Sequence, residues 1–307
     1  MDTAIDSGKN NKQKKILITG ATGFIGKNLS EQFADVYVIF APTHAELDLG
    51  DSIAVREYLK QESFDVVLHC ATHNATRNSI KDVSQTLENN LRYFFNLARC
   101  SDMFGRMIYF GSGAEYDKSN APVCVEEDFF DTFVPGDAYG FSKYISAMLA
   151  ERSDNIYDLV VFGCFGRYED WEIRFISNAC AKAAHDMDIT VNQNVAFDYL
   201  YVNDLASITR YFIEARKPMF KRYNACTGMS IDLYTLAELV RDISGKKLDI
   251  IVKREGTGRE YSGSNRRLLE EIGPFNFTDP CWSIKELYGW YDANKNLFDK
   301  RLLLTDK

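Results

Sequence analysis

A short apolar run, Ile16-Leu17-Ile18, passes through Thr19 into Gly20-Ala21-Thr22-Gly23-Phe24-Ile25-Gly26, and this junction restricts the fold more than any other segment. The run is too short for a helix and ends at glycine, so it reads as a buried strand. Residues 23–33 then place Ile25, Leu29 and Phe33 at helical spacing. Each glycine of such a strand-to-helix turn has a physical role. The first permits the tight turn, the second lets the backbone approach a pyrophosphate, and the third lets the helix pack on the strand. Free amides and the positive end of the helix then favour phosphate. The pattern predicts a dinucleotide cradle made of Gly20, Thr22, Gly23, Phe24, Ile25 and Gly26.

The alternation continues along the chain. Residues 36–40, 66–69, 107–110 and 159–162 are short apolar runs that read as strands. Residues 51–61 read as a helix capped by Asp51 or Ser52. Residues 87–100 read as a helix with Leu91, Phe94, Phe95 and Ala98 on one face, and 139–151 as another. Strands apolar on both faces, alternating with helices, imply a parallel sheet covered on both sides. The expected fold is α/β, a Rossmann-type doubly wound sheet followed by a smaller C-terminal α/β substrate-binding domain. After Gly166 the pattern loosens to helices over 175–184 and 234–243 and a strand over 247–252. The expected division is a flexible tail over 1–14, a dinucleotide-binding domain over 15–165, and a mainly substrate-binding part over 166–307 with segments returning to the sheet.

Composition narrows the function classes. Hydrophobic residues make up 46% and charged residues 26% of the 307, as in soluble globular proteins. The formal charge of −8, with no basic run of length, argues against a nucleic-acid partner. No apolar run approaches the roughly 20 residues of a membrane span. The polar first 15 residues lack the apolar core of a signal peptide. The expected location is therefore cytoplasmic, with no membrane partner. Seven cysteines, at 70, 100, 124, 164, 180, 226 and 281, form no CxxC and read as buried free thiols. The four histidines form no ligand pattern, so no metal is expected.

A second constellation points to chemistry. Tyr139 and Lys143 lie four apart on one predicted helix and share a face. A phenol is a poor acid–base group near neutrality, and a neighbouring ammonium favours its ionised form. Ser112 ends the fourth predicted strand, at the edge where parallel sheets bind ligands. A hydroxyl there can hydrogen-bond a reacting oxygen. Residues 40–43, Phe-Ala-Pro-Thr, carry neither an acid for ribose hydroxyls nor an arginine for a 2′-phosphate. The cofactor expected is NADP or NAD, with NADP ahead.

These segments resemble the extended short-chain dehydrogenase/reductase, or NAD-dependent epimerase/dehydratase, family. Residues 19–26 match its TGATGFIG, residues 138–143 look like its PYGxSK, and 199–204 look like its FIYVDD. Glu46-Leu47-Asp48-Leu49 is similar to the GDP-fucose synthase and dTDP-4-dehydrorhamnose reductase branch. The resemblance implies that Asp48 and Leu49 lie against the adenine, and that Ala71, Thr72 and Asn90 line the cofactor. It implies a mechanism carried by Ser112, Tyr139 and Lys143, with Tyr139 and Lys143 also meeting the cofactor. Departures matter as much. Gly113 and Ala114 stand where the dehydratases carry an acid and a base, and Ala114 where GDP-fucose synthase has its cysteine. Dehydration and C3/C5 epimerisation are therefore not expected. Phe197 replaces a family arginine for the nucleotide diphosphate, and Gly163 replaces the asparagine of NVYGP. Arg259 resembles a second family arginine and joins Ser112 as a candidate substrate contact, ahead of Arg167 and Arg174. The implied function is reduction of a 4-keto group on a nucleotide-activated sugar. The alternatives are a C4 epimerase with tightly held NAD, or a catalytically silent NAD(P)-binding regulator. Pairing through the helices after Leu87 and Tyr139 would give the family's homodimer.

Overall fold

The structure is a computed structural model that describes residues 13–73 and 81–304. Residues 1–12 of the expected tail lie outside the described residues. Lys14, within that expected tail, is held by the Ile213 carbonyl and the Glu214 carboxylate.

In chain order the first half contains β1 (Lys15–Thr19), α1 (Phe24–Phe33), β2 (Val38–Phe40), α2 (Ser52–Gln61), β3 (Phe64–His69), α3 (Thr86–Ala98), β4 (Phe104–Ser112), α4 (Ala138–Arg152) and β5 (Ile156–Val161). There follow β6 (Gly163–Phe165), α5 (Phe175–Ala184), β7 (Ile189–Asn194), β8 (Ala196–Tyr201), α6 (Val202–Glu214), β9 (Arg222–Ala225), β10 (Ser230–Asp232), α7 (Leu233–Ser244), β11 (Ile250–Thr257), α8 (Arg266–Ile272) and α9 (Pro280–Ala293).

Six parallel strands form the main sheet in the order β2-β1-β3-β4-β5-β9. The doubly wound fold expected from the sequence is present. Period-two alternation sends successive residues to opposite faces. Ile16, Ile18, Val66, Leu68, Ile108 and Phe110 pack with Leu29 and Phe33 of α1 and Leu205 and Phe212 of α6. Leu17, Val67, Met107 and Tyr109 pack the other way, against Val55 of α2, Phe94 of α3 and Ala150 of α4. β9 brings the second half of the chain back to the sheet edge beside β5. A separate cluster joins α5, α7 and α9 through Ile176, Leu236, Val240, Ile284 and Leu287. Because β2 and β3 flank β1 on opposite sides, connections diverge there and open a crevice at the strand ends.

Several boundaries differ from the sequence reading. Val36 and Tyr37 both donate to the Phe33 carbonyl, so they form the exit turn of α1 and β2 begins at Val38. The strand expected at 247 begins at Ile250, because Lys246 turns aside to the carbonyls of Ala183 and Ala184 at the end of α5. Asp51 is the cap of α2, accepting from the amides of Ile53 and Ala54. The cysteine expectation needs correction: Cys124, in a surface loop, and Cys281, in the first turn of α9, are exposed. No helix among the described residues is long and apolar enough to cross a membrane.

His69 closes β3 inside this core. Its Nδ1 lies 2.8 Å from Thr19 Oγ1 and its ring stacks on Tyr109. Burial first, and the Lys143 charge second, pull its pKa down to about 3. The unfolded chain takes up a proton near the ordinary value of about 6.5 that the folded chain refuses. Stability is therefore full above that pH and declines as pH falls from there toward 3. Urea unfolding should show the wild type losing about 2 kcal/mol more than His69→Gln between pH 7.5 and 5, one proton over roughly 1.5 units. Parallel losses in the two proteins would contradict a ring held neutral.

Candidate active site

The glycine turn sits at the mouth of the crevice. Gly23 donates to the Gly20 carbonyl at 2.9 Å, closing the turn. Gly20 has φ +68°, and a Cβ on it would come within 2.7 Å of the Ala71 backbone. A Cβ on Gly26 would lie 2.4 Å from the Gly20 oxygen. Gly23 faces outward, where a Cβ would meet only that oxygen, at 3.3 Å. No side chain caps α1 and its first turn carries no acid, so its leading amides suit an anion. Thr22 lies exposed beside Gly23, and Phe24 and Ile25 are half-buried in the first turn of α1.

Ala71 and Thr72 follow β3 across the crevice. The Thr72 hydroxyl and the His73 amide both donate to Asn90 Oδ1, at 3.2 and 2.6 Å. Asn90 donates in turn to Ser142 Oγ at 3.3 Å, and Ser142 donates to the Tyr139 carbonyl at 2.7 Å. Asn90 is therefore a strut between the exit of β3 and α4. Asp48 accepts from the Gly50 amide, and Leu49 is buried in the core beside α2 and α3.

Ser112, Tyr139 and Lys143 gather at the ends of β4 and α4. Asp137 caps α4 by accepting from Gly140 at 2.9 Å, which sets Tyr139 and Lys143 on its first two turns. Gly140 has no Cβ to strike the Ala114 carbonyl, so α4 closes on the turn after Ser112. Lys143 is buried and donates to the Phe110 carbonyl at 2.6 Å. Its Nζ lies 4.5 Å from the Tyr109 ring centroid and 5.8 Å from that of Tyr139. Burial pulls its pKa down, but Tyr109, Tyr139 and Asp158 outweigh that and hold it above the ordinary lysine value. Lys143 is an ammonium. Ser112 Oγ accepts from the Ala114 amide at 3.3 Å, which leaves its proton to donate elsewhere.

Tyr261 completes the wall, and nothing in the sequence marked it. Its backbone pairs with Ala196 and Asp198, and its ring packs on Phe162 and Phe197. Its hydroxyl lies 2.5 Å from the position a Cβ on Gly113 would take, next to Ser112 in the chain. Phe197, packed between Tyr199 and Tyr261, makes this side aromatic where the resemblance implies a cation. Arg259 is exposed and donates to the carbonyls of Ser119 and Ala121, tying down the loop beside Tyr261. Arg167 pairs with Glu286 at 3.0 Å. Arg174, which opens α5, makes no side-chain hydrogen bond or salt bridge with the described residues, and its charge acts on Tyr199 and Tyr261.

Comparison with known proteins gives the family and the fold to which the chain is similar. The model of the NAD-dependent epimerase/dehydratase family matches residues 16–226. A GDP-L-colitose synthase from Yersinia pseudotuberculosis is 24% identical over 309 aligned positions, covering 92% of this chain and 99% of that protein. A GDP-6-deoxy-D-mannose reductase from Pseudomonas aeruginosa is 24% identical, covering 85% and 91%. In fold, the chain is similar to a GDP-mannoheptose C4 reductase from Campylobacter jejuni solved with NADP bound, at TM-score 0.82 and 19% identity, covering 91% of this chain and 98% of that one.

The two outer glycines and the middle one should fail differently. Gly26→Ala drives a Cβ into the turn carbonyl and should lower thermal stability and cofactor affinity together. Gly23→Ala should leave the melting temperature within about 2 °C, an effect of well under 1 kcal/mol, yet weaken NADPH binding about tenfold or more in a fluorescence titration. Unchanged affinity in Gly23→Ala would remove the pyrophosphate from this turn.

Proposed function

We propose that this chain, which belongs to the NAD-dependent epimerase/dehydratase family, is an NADPH-dependent reductase of one keto carbon, C4, on a nucleotide-activated sugar. The observation that carries the reading is the gathering of Ser112, Tyr139 and Lys143 beside the glycine turn, with Gly113 and Ala114 where dehydration needs an acid and a base. Relatives named as nucleotide-sugar reductases support the substrate class. Solved relatives with NADP or NADPH bound, and the absence of an acid after β2, support NADPH.

The open side of Gly23 and the uncapped amides of α1 fit a pyrophosphate. The dinucleotide, when bound, supplies the hydride. Tyr139 gives its hydroxyl proton to the oxygen that gains charge as the carbonyl is reduced. Ser112 donates to the same oxygen, using the proton left free by its contact with Ala114. Lys143, an ammonium fixed on the Phe110 carbonyl, keeps positive charge beside Tyr139 and meets the cofactor ribose. Asn90 keeps α4 in register with the residues along the cofactor, Ala71 and Thr72. With Arg259 engaged by loop carbonyls and Arg167 paired with Glu286, Arg174 is the one of the three candidate arginines left to meet the diphosphate. The same reading takes the protein as cytoplasmic and as a homodimer paired through α3 and α4, supported by the way those two helices lie side by side, joined by the Asn90–Ser142 hydrogen bond.

Tyr139→Phe tests the reading directly. Reduction of a nucleotide 4-keto-6-deoxy sugar should fall by about 10²–10⁴, while NADPH affinity by titration stays within twofold. Turnover near that of the wild type would sink the mechanism.

A further inference from the structure

Beneath the Ser112 turn lies a buried charge cluster that this reductase mechanism does not use. Glu115 and Asp158 are 0% exposed and Arg222 is 1% exposed. Arg222 Nε lies 3.2 Å from Glu115 Oε1 and 3.5 Å from Asp158 Oδ2, and its Nη1 lies 2.9 Å from Glu151 Oε1. The guanidinium stacks on Phe130, 3.2 Å from the ring centroid. Charges so buried are costly unless paired, so the arrangement is specified rather than incidental.

The four groups come from four parts of the fold. Arg222 lies on β9, Asp158 on β5 opposite Tyr109, Glu115 in the turn after β4, and Glu151 on α4. Glu151 is two turns beyond Lys143 on the same helix. Arg222 thus ties the turn that carries Ser112 to the helix that carries Tyr139 and Lys143. Gly111 makes room: a Cβ there would lie 2.2 Å from Asp158 Oδ1 and 3.0 Å from Glu115 Oε2.

Glu115 reaches from this cluster to Ser112. Its Oε2 accepts from the Ser112 amide at 3.4 Å, while Ser112 Oγ accepts from the Ala114 amide. The two contacts form a reciprocal capping box that fixes the backbone and the hydroxyl of Ser112 together. Burial and the neighbouring Asp158 push the Glu115 carboxyl above its ordinary range, against the pull of Arg222. Charged or protonated, it presents an accepting oxygen to the Ser112 amide.

We propose that Glu115 is a positioning residue for Ser112, held in register with Tyr139 and Lys143 by Arg222; the inference rests on the role given above to Ser112. Glu115→Ala removes the accepting oxygen and leaves Arg222 balanced by Asp158. With NADPH and a nucleotide 4-keto-6-deoxy sugar, its kcat should fall tenfold or more, while NADPH affinity and the sugar KM stay within threefold. Glu115→Gln restores an accepting oxygen without the charge and should bring kcat back to within threefold of the wild type. A folded Glu115→Ala with kcat within twofold of the wild type would overturn the proposal, as would a Glu115→Gln as slow as the alanine variant. If Glu115→Ala does not fold, Glu115→Asp, one methylene short of the Ser112 amide, should show the same kcat loss, and normal kcat there overturns the proposal equally. Tyr139→Phe run alongside separates the two levels: if turnover is indifferent to Tyr139, the Ser-Tyr-Lys reading itself has failed, whatever the Glu115 variants do.

Discussion

The contact on which the rest depends is between two backbones. Gly20, at φ +68°, is pressed against Ala71 so closely that no side chain fits between them. That contact sets the exit of β1 against the exit of β3, the two strands between which the sheet connections diverge. It also aims the start of α1 at the crevice. The glycine turn and the sheet topology are therefore one constraint, since a substitution that separates the two backbones disturbs both.

A second layer of contacts holds α4 to that frame. Asn90 links α4 to the residues after β3 from above, and Arg222 links it to the Ser112 turn from below. Lys143 fastens it to the β4 backbone in between. The Tyr–Lys pair is thus placed by three polar ties, one from α3 and the β3 exit, one from β4 and one from β9, in addition to apolar packing. The Asn90 and Lys143 ties fix one arrangement because each leaves an expensive unpaired group if it slips. Phe197, Tyr199 and Tyr261 then form an aromatic wall, with the Tyr261 hydroxyl over Gly113.

Much of this was legible in the sequence where residue type and position agree. The glycine turn, the alternating strands and the helix over 175–184 declare themselves because apolar periodicity and turn chemistry coincide there. Ser112, Tyr139 and Lys143 stand in motifs that single them out as candidates. The charged cluster was not, because a buried charge looks like an element boundary. The sequence reading began β5 after Asp158, yet the strand starts at Ile156 with Asp158 in its middle. Arg222, at the head of β9, gave no strand signal for the same reason. Glu115 does carry one: Ser112-Gly113-Ala114-Glu115 has the spacing of a capping box. Tyr261 and the engagement of Arg259 by loop carbonyls depend on the path of an irregular segment, which local sequence does not encode.

In the proposed reaction one hydride leaves the cofactor and stays on one sugar carbon. The most direct measurement supplies NADPH deuterated at the transferring nicotinamide position, with a nucleotide 4-keto-6-deoxy sugar, and follows the product by NMR. Deuterium should appear at C4 in an amount equal to the NADPH oxidised. Interconversion of two C4 epimers with no added NADPH consumed, and no deuterium in the product, would contradict it and make the chain an epimerase.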